Sequence, residues 1–264
     1  MNKLGWSFCI VTAPGNEQIL SEAIKKINQE FRNAPHEIIV IGNPQLNPSE
    51  FEFTQFIPFK EQFFKLSLTK HAIIRVMGEK SLKPLFFRYG PICHKKNLAA
   101  KHAQYDKLCV MHDYVGIEPG WLSGFEQFGN DWDVAMNIIL NKDGTRHRDW
   151  MAWDHPAITN SSRGDGACLI PYDKYTKYMY ISGTYFCVKR GFFINNPLDE
   201  RLFWGECEDV EWSLRVREKT QFKMNVHSMV KYLKLKDING APNCESWRLS
   251  SKKMLEVFGD KDIA

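Results

Sequence analysis

Two hydrophobic patterns alternate along this chain: short apolar runs, and longer segments in which apolar residues return every three or four positions. The runs at 6–12 and 37–41 have the length and composition of strands that are buried on both faces. Segment 17–31 between them has helical spacing, which predicts an amphipathic helix. Strand, helix and strand in this order form a βαβ unit, so the N-terminal part of the chain predicts a parallel sheet.

The same patterns predict further elements. Helices are expected at 95–104, 121–128, around 210–216 and, in the tail, at 251–258. Strands are expected at 53–57, 73–77, 108–111, 134–140, 178–188 with a break at Ser182-Gly183, 222–226 and 229–235. Segment 141–177 has no sustained period, and long loops inside compact domains usually serve as lids or binding loops. We expect it, with the tail 236–264, to carry substrate specificity.

Polar residues directly follow the central apolar run. His112 and Asp113 come after Leu108 to Met111, and Pro119-Gly120 then marks a turn. A carboxylate placed there costs several kcal/mol, on the order of a buried unpaired charge, unless a partner compensates it. Because ligands of open α/β sheets bind at the carboxyl ends of strands, Asp113 is a candidate ligand-binding residue. The alternative, a turn or helix-capping aspartate, stays open on this motif alone.

The loops that precede two predicted helices are candidate phosphate sites. Thr12 to Asn16 follows the first strand but lacks both the G-x-G-x-x-G pattern and the G-K-[ST] phosphate loop, so Pro14-Gly15 is also compatible with a simple turn. Lys96 and Asn97 lie in the first turn of the 95–104 helix, where amides and a cation could meet a phosphate. A solvated helix end is the competing interpretation.

An acidic cluster precedes the helix predicted around 210–216. Its four carboxylates, flanked by Trp204 and Trp212, belong to Glu206, Glu208, Asp209 and Glu211. The helix dipole favours acids at this end by about 0.3–1 kcal/mol each, which accounts for one or two of them. Four in so short a segment repel one another and raise their affinity for protons, as a general base requires. Upstream, the glycine at 183 interrupts a strand pattern and predicts a bulge or a close approach to a ligand.

Composition narrows the class of protein. The chain has 264 residues, 44% hydrophobic and 25% charged, as in a globular domain, and its formal net charge of +4 is too small and dispersed to indicate nucleic acid. Seven cysteines are odd in number and lack a C-x-x-C pair, which predicts free thiols and no zinc site. With neither a signal peptide nor a membrane-length apolar run, we expect a cytoplasmic location. The oligomeric state has no signal in the sequence.

Taken together and in order, four pieces resemble the GT-A-type glycosyltransferases, closest to the large family of inverting, nucleotide-sugar-dependent bacterial enzymes. Segment 7–14 resembles the opening strand and loop that hold the nucleotide base, and Lys-Lys-Asn-Leu-Ala-Ala at 95–100 resembles the helix before the metal-binding strand. Val-Met-His-Asp-Tyr at 110–114 lies where the family carries its Asp-x-Asp motif. Ser182-Gly183, Pro-Leu-Asp-Glu-Arg at 197–201 and Trp-Gly-Glu-Cys-Glu-Asp-Val-Glu-Trp at 204–212 resemble the acceptor-side motif.

The resemblance implies a fold in which one half binds the nucleotide and the other half binds the acceptor. It implies one α/β domain over 1–264 with a Rossmann-like, mostly parallel central sheet flanked by helices and a small antiparallel acceptor-side portion. The nucleotide-binding half would span about 1–120, the acceptor-binding half about 121–235, and the tail 236–264. Partners would be a nucleotide-sugar donor and a glycan or lipid-linked acceptor, as in polysaccharide biosynthesis.

Residue roles carry over position by position. On the nucleotide side the resemblance implies Thr12, Pro14, Asn43, Lys96, Asn97, His112 and Asp113. Asp209 would be the general base and Glu208 would position the acceptor, with Gly183, Trp204 and Glu206 near the donor or acceptor. A divalent cation, Mn or Mg, would be bound by Asp113 and His227.

Two departures from the family pattern bear on these roles. Tyr114 stands where the second acid of the Asp-x-Asp motif is expected, which places the metal shell in question. Glu206-Cys207 adds a residue before Glu208-Asp209, so Glu206 and Glu208 compete for the acceptor-binding role.

The expected reaction is transfer of a sugar from a nucleotide-sugar, with UDP as the first nucleotide to consider, to an acceptor hydroxyl, with inversion at the sugar carbon. One alternative is a non-catalytic nucleotide- or carbohydrate-binding relative, which the tyrosine at 114 keeps open. The other is a sugar-1-phosphate nucleotidyltransferase, which would need a glycine-rich loop with an arginine in the first βα turn; Thr12-Ala-Pro-Gly-Asn16 has none.

Overall fold

The computed structural model describes residues 3–60, 92–153, 167–202 and 207–235. Its strands are β1 (Lys3–Val11), β2 (His36–Ile41), β3 (Thr54–Ile57), β4 (Tyr105–His112), β5 (Val115–Ile117), β6 (Val134–Leu140), β7 (Met151–Trp153), β8 (Ala167–Leu169), β9 (Met179–Tyr180), β10 (Tyr185–Lys189) and β11 (Lys223–Tyr232). Its α-helices are α1 (Glu17–Glu30), α2 (Ile92–His102), α3 (Trp121–Phe128), α4 (Arg190–Asn195) and α5 (Glu208–Val216). The strand expected at 73–77 and the helix expected at 251–258 lie outside the described residues.

The main sheet has eight strands in the order β3-β2-β1-β4-β10-β6-β11-β5. Strands β1, β2, β3 and β4 pair in parallel, and β6 pairs in parallel with β11. Because β10 is antiparallel to both β4 and β6, these two groups run in the same direction, and only β10 and β5 run against them. The expected mostly parallel sheet is confirmed.

Strong apolar patterning explains why the centre of this sheet is buried. Strand β1 is buried continuously from Trp6 to Val11, and its neighbours β2 and β4 are buried at their carboxyl halves. Helix α1 covers one face with the apolar stripe that its spacing predicts. On the same side Trp6 contacts Trp121 and Phe125 of α3, with ring centroids 4.6 and 4.7 Å apart. Burial of these large aromatic rings stabilises the packing of the helices on the main sheet, from which the loops extend.

A second, antiparallel sheet of three strands has the order β8-β7-β9. It arises from the region expected to lack regular structure, 141–177, and from the first half of the expected strand 178–188. That strand is divided, because β9 joins the small sheet whereas β10 enters the large one. Met151, Leu169 and Tyr180 pack with Val210 of α5, which fixes the acidic helix against the small sheet.

The last strand differs from the two that the sequence predicts. Segments 222–226 and 229–235 belong to one strand, β11, whose register against β6 shifts between Asn225 and Met229. Strand β5 and helix α4 were not expected, because each is too short to show a period.

Candidate active site

The strand directions bring five chain segments to one edge of the main sheet. Thr12 follows β1, Asn43 lies two residues beyond β2, and Asp113 follows β4. Gly183 and Thr184 precede β10, which runs the opposite way and therefore begins at this edge. Lys234 lies two residues beyond β11, which runs parallel to β6. Sheet edges of this kind, at the carboxyl ends of parallel strands, are where α/β proteins bind ligands.

Asp113 is buried and is held by the loop that follows β1. One carboxylate oxygen, Oδ2, accepts hydrogen bonds from the Thr12 hydroxyl at 2.7 Å, the Asn16 amide at 3.0 Å and the Ala13 N–H at 3.4 Å. Burial raises the pKa of Asp113, and the Thr12 and Asn16 hydrogen bonds and the charge of Lys234 act in the opposite direction. The loop after β1 and the acid after β4 are therefore in direct contact.

Lys234 and Tyr114 complete what we call the Asp113 cluster, which comprises Thr12, Asn16, Asp113, Tyr114 and Lys234. The Lys234 ammonium donates to Asn16 Oδ1 at 3.2 Å and lies 4.6 Å from the centroid of the Tyr114 ring. Burial raises the pKa of Tyr114 to about 12, so its phenol is neutral at physiological pH. A hydrogen bond between the side chains of Tyr114 and Thr184 ties the cluster to the segment before β10.

The remaining residues expected on the nucleotide side shape the same loops. Pro14 is exposed in the turn after β1. The Asn43 amide fixes the backbone of Phe59: its Nδ2 donates to the Phe59 carbonyl at 2.5 Å, and its Oδ1 accepts from the Phe59 N–H at 3.1 Å. Lys95 lies 5.1 Å from the Phe59 ring centroid and donates to the Thr12 carbonyl at 3.0 Å. The His112 side chain is half-buried, and the backbone N–H of His112 donates to the Thr184 carbonyl at 3.0 Å.

A second cluster, which we call the Asp209 cluster, comprises Lys96, Gly183, Glu208 and Asp209. The Lys96 side chain is fully buried, and its ammonium donates to Glu208 Oε1 at 3.0 Å and to the Gly183 carbonyl at 2.7 Å. The Gly183 N–H donates to Asp209 Oδ2 at 2.9 Å. A buried cation thus sits between the strand segment and two adjacent carboxylates at the start of α5.

The electrostatics of this cluster favour a carboxylate that binds protons tightly. The pKa of Asp209 is raised by burial and by the neighbouring negative charge of Glu208. The hydrogen bond from the Gly183 N–H and the charge of Lys96 oppose that rise in pKa. Asp209 nevertheless remains partly exposed, so a ligand hydroxyl could reach it.

Gly183 permits this close approach because it has no side chain. A Cβ atom added there would lie 2.9 Å from Glu208 Oε1, 3.0 Å from Asp209 Cβ and 3.1 Å from Asp209 Oδ2. Contacts this short would push at least one carboxylate out of place. The glycine that interrupts the strand pattern therefore allows backbone and carboxylates to approach closely, whereas its expected approach to a ligand stays a prediction.

Helix α5 begins after a backbone conformation that is unusual for its residue. Cys207 has φ 59° and ψ 42°, the left-handed region that glycine usually occupies. This turn aims Glu208 and Asp209 back toward Gly183. Trp204 and Glu206, expected on the donor or acceptor side, lie outside the described residues, so the choice between Glu206 and Glu208 rests on the contacts of Glu208 alone.

Lys96 and Asn97 do not extend toward the Asp113 cluster in the contacts described. Lys96 contacts Glu208. The Asn97 Nδ2 donates to the Leu198 carbonyl at 2.9 Å and to Glu200 Oε1 at 3.1 Å, and its Oδ1 accepts from the Leu198 N–H at 3.0 Å. Both side chains are buried. Their expected contact with a nucleotide stays a prediction, whereas their contacts in the folded chain are those of residues that position other groups.

The structure does not bring His227 to Asp113. His227 is exposed in the middle of β11, inside the register shift, and its backbone carbonyl packs against Gly124 of α3. Tyr232, five residues further along, is the residue that pairs with Val115. The stretch from Met229 to Tyr232 is regular, so at about 3.3 Å per strand residue His227 lies on the order of 10 Å or more from that level. The sequence predicts a strand that ends at Val226 with His227 directly after it, whereas β11 continues to Tyr232 and keeps His227 within the strand.

Two residues of the site were missed by sequence reasoning, Thr184 and Lys234, whereas Asn16 ends the candidate loop 12–16 but was given no role of its own. Thr184 adjoins the break in the strand pattern at Ser182-Gly183, and that position was the available signal. Lys234 had no such signal, because only the pairing of β11 with β5 and β6 brings it to the edge where β4 ends.

The described residues around Asp113 do not fit a divalent cation. Hard cations need several oxygen ligands, commonly with more than one carboxylate. Here Asp113 Oδ2 already accepts three hydrogen bonds, Tyr114 replaces the second acid, and an ammonium lies beside them. Within residues 3–60, 92–153, 167–202 and 207–235, no group of three His, Cys, Asp or Glu side chains could hold a metal. Among those same residues, no helix is long and apolar enough to cross a membrane.

Comparison with known proteins identifies the fold. No protein-family profile and no curated sequence matches the chain. The structure of GalNAc-T7 with UDP, GalNAc and Mn2+ aligns with a TM-score of 0.56 and 12% identity, over 97% of this chain and 48% of that one. S. aureus TarS 1–349 and its complex with UDP-GlcNAc align with TM-scores of 0.48 and 0.49 and identities of 11% and 10%.

These alignments with TarS cover 86% and 91% of this chain and 60% and 62% of TarS 1–349. The chain therefore spans less than two thirds of the length of each of the three solved structures. The alignment with GalNAc-T7 includes nearly the whole chain, and it agrees with the strand order and the small antiparallel sheet. The chain has a GT-A-type fold.

Proposed function

We propose that this chain is a glycosyltransferase that moves a sugar from a nucleotide-sugar to an acceptor hydroxyl. One observation carries the proposal: the Asp113 and Asp209 clusters lie at the same sheet edge and share the Gly183–Thr184 segment. Tyr114 lies within electrostatic reach of both Asp113 and Glu208, since the charges of both raise its pKa in addition to burial. Transfer of a sugar needs an anion-binding end and a base, and these two clusters supply them.

The chemistry divides between the clusters. The bond from the sugar C1 to the diphosphate breaks as the acceptor oxygen attacks C1 from the opposite face, which inverts the configuration. Asp209 takes the acceptor proton, because its raised pKa improves a carboxylate as a base. Glu208, paired with the Lys96 ammonium at 3.0 Å, orients the acceptor hydroxyl. The loop residues Thr12, Pro14 and Asn43 border the nucleotide.

The donor and acceptor classes follow from this division. The nucleotide-binding half spans about 1–120, and the acceptor-binding half about 121–235. We propose UDP as the nucleotide, since solved structures with this fold include a UDP complex of GalNAc-T7. The acceptor is a hydroxyl of a glycan or of a lipid-linked glycan. When present, a divalent cation would neutralise the leaving diphosphate, but the described donors near Asp113 do not favour one.

A donor screen tests the proposal. The full chain is incubated with UDP-, GDP- and dTDP-sugars, and the released nucleoside diphosphate is measured alongside the melting temperature. We expect one donor to stabilise the chain and to be hydrolysed slowly, since water can replace the acceptor. The Asp209→Asn variant is the matched control and should be stabilised equally without releasing product.

A second candidate function is a non-catalytic binding protein of this fold, which the replacement of an acid by Tyr114 favours. In that case donors would raise the melting temperature while no nucleoside diphosphate appeared with any of them. If no donor changes the melting temperature and none is hydrolysed, both functions are excluded for these nucleotides.

A further inference from the structure

Lys234 lies at the sheet edge and contacts two members of the Asp113 cluster, Asn16 and Tyr114. Its ammonium is partly exposed, and its hydrogen bond to Asn16 Oδ1 joins it to an amide whose Nδ2 in turn donates to Asp113. It lies beyond the end of β11, at the edge where β1, β2 and β4 also end. An ammonium at such an edge, next to hydrogen-bond donors of the first loop, is suited to an anion.

The charge balance of the cluster points in the same direction. Asp113 contributes one negative charge when ionised, and three hydrogen bonds to one oxygen compensate much of it. Tyr114 is neutral and presents its ring face to Lys234. A further dication here would meet the repulsion of the ammonium, whereas a dianionic phosphate would gain from it.

We propose that Lys234 binds the diphosphate of the donor and stabilises it as it leaves, in the place where a divalent cation would otherwise act. The inference rests on the proposed function and names the residue that carries out one part of it. When the C1–oxygen bond breaks, the bonding electrons pass to the diphosphate oxygen, and the ammonium binds the added negative charge through its N–H groups. No proton or metal ligand needs to move, and Lys234 exchanges Asn16 Oδ1 for a phosphate oxygen.

Binding of nucleoside diphosphates tests the assignment directly. Affinities of UDP, GDP and dTDP, and of the matching nucleosides, are measured by calorimetry in EDTA and again with Mn2+. We expect the wild-type chain to bind one diphosphate in EDTA with an affinity within about threefold of that in Mn2+, given the screening of an exposed site. Lys234→Met should lower the affinity for that diphosphate by about 10- to 100-fold, because a charge-assisted hydrogen bond is lost. The affinity for the matching nucleoside should stay unchanged.

Two further variants separate charge from folding. Lys234→Arg should retain most of the affinity, because it keeps a cation at this position. Lys231→Met removes an equal charge from β11, three residues before Lys234 and away from Asn16. It should change neither the affinity for the diphosphate nor that for the nucleoside. Melting temperatures within a few degrees of wild type would show that each variant is folded.

The outcomes are distinct. A diphosphate that binds to wild type only with Mn2+, or that binds Lys234→Met as tightly as wild type, overturns the role of Lys234 and leaves the proposed function standing. An equal loss of affinity for the nucleoside and the diphosphate also overturns it, since the lysine would then affect binding only by stabilising the folded site. If none of the three diphosphates binds, the proposed function fails for them and the inference fails with it.

Discussion

The two carboxylate clusters at the sheet edge use opposite electrostatic designs. In the Asp113 cluster a single acid is surrounded by neutral donors, and its cation, Lys234, is partly exposed. In the Asp209 cluster two adjacent acids share a lysine that is completely buried. In the first arrangement one cation balances one acid, and because that cation is partly exposed an anionic ligand could contact it. The second has negative charge to spare for a proton.

The difference shows how one sheet edge can support two parts of a reaction. Burial raises the pKa of both aspartates, but only Asp209 also has a neighbouring carboxylate that raises its pKa further. Opposing effects come mainly from hydrogen bonds at Asp113, and from a backbone N–H and a lysine at Asp209. Thus the neighbours, rather than depth of burial, distinguish the electrostatic environments of the two carboxylates.

The largest expected effect separates the clusters by function. Asp209→Asn should lower the transfer rate by about 10²- to 10⁴-fold, since the amide cannot accept a proton, while nucleotide affinity changes little. The Gly183 N–H can still donate to the amide oxygen. Initial rates and calorimetric affinities measure the two quantities. Glu211→Gln, two residues further along α5, is the control, because Glu211 pairs with Arg215 on the helix surface. A variant as active as wild type would remove Asp209 from the role of base.

The next effect concerns stability within the Asp209 cluster. Lys96→Met leaves Glu208 buried without its cation, which should lower the free energy of unfolding by about 3–5 kcal/mol. The double variant Lys96→Met, Glu208→Gln should recover a large part of that loss, because the uncompensated charge is gone. Urea unfolding of the four proteins in the cycle gives the coupling energy. Additive losses would mean that the two side chains do not depend on each other for stability.

The smallest of the three expected effects concerns the close approach of the Gly183 backbone to the carboxylates of Glu208 and Asp209. Gly183→Ala should reduce the transfer rate by about 10- to 100-fold, since a displacement of the order of an ångström at reacting groups has that effect. Gly191→Ala in α4 is the matched control, because nothing lies within 4 Å of the added Cβ there, and it should leave the rate unchanged. Unchanged activity of Gly183→Ala would show that the carboxylates can shift without consequence.

Much of the fold could be predicted from the sequence because local apolar spacing dictates it. The helix at 121–128 and the strand at 134–140 have the bounds that the structure shows. The acids after β4 and at the start of α5 could be identified from the sequence, because placing a charged side chain beside a buried element costs free energy unless it is paired. The three-stranded sheet, with two strands inside 141–177 and one at 179–180, could not be predicted, since its strands are only two or three residues long.

The partners of the site residues depend on long-range strand order, which no local pattern specifies. The contact between Lys96 and Glu208 joins residues 112 positions apart, and that between Asn16 and Lys234 joins residues 218 positions apart. Assigning Lys96 to phosphate was reasonable for a lysine at a helix start. Its burial against Glu208 follows from the fold, which brings Lys96 of α2 next to the start of α5.

The register shift in β11 has a consequence for the location of the exposed cation. Asn137 and Ile138 of β6 are consecutive, yet they pair with Asn225 and Met229, so β11 carries three additional residues at this point. Three is an odd number, and the inward-facing positions accordingly change from Asn225 to Ser228, Val230 and Tyr232. Deleting one residue would turn over every side chain downstream and move Lys234 away from Asn16. The length of this irregular segment of the strand, and not only the choice of lysine, therefore sets where the positive charge lies at the sheet edge.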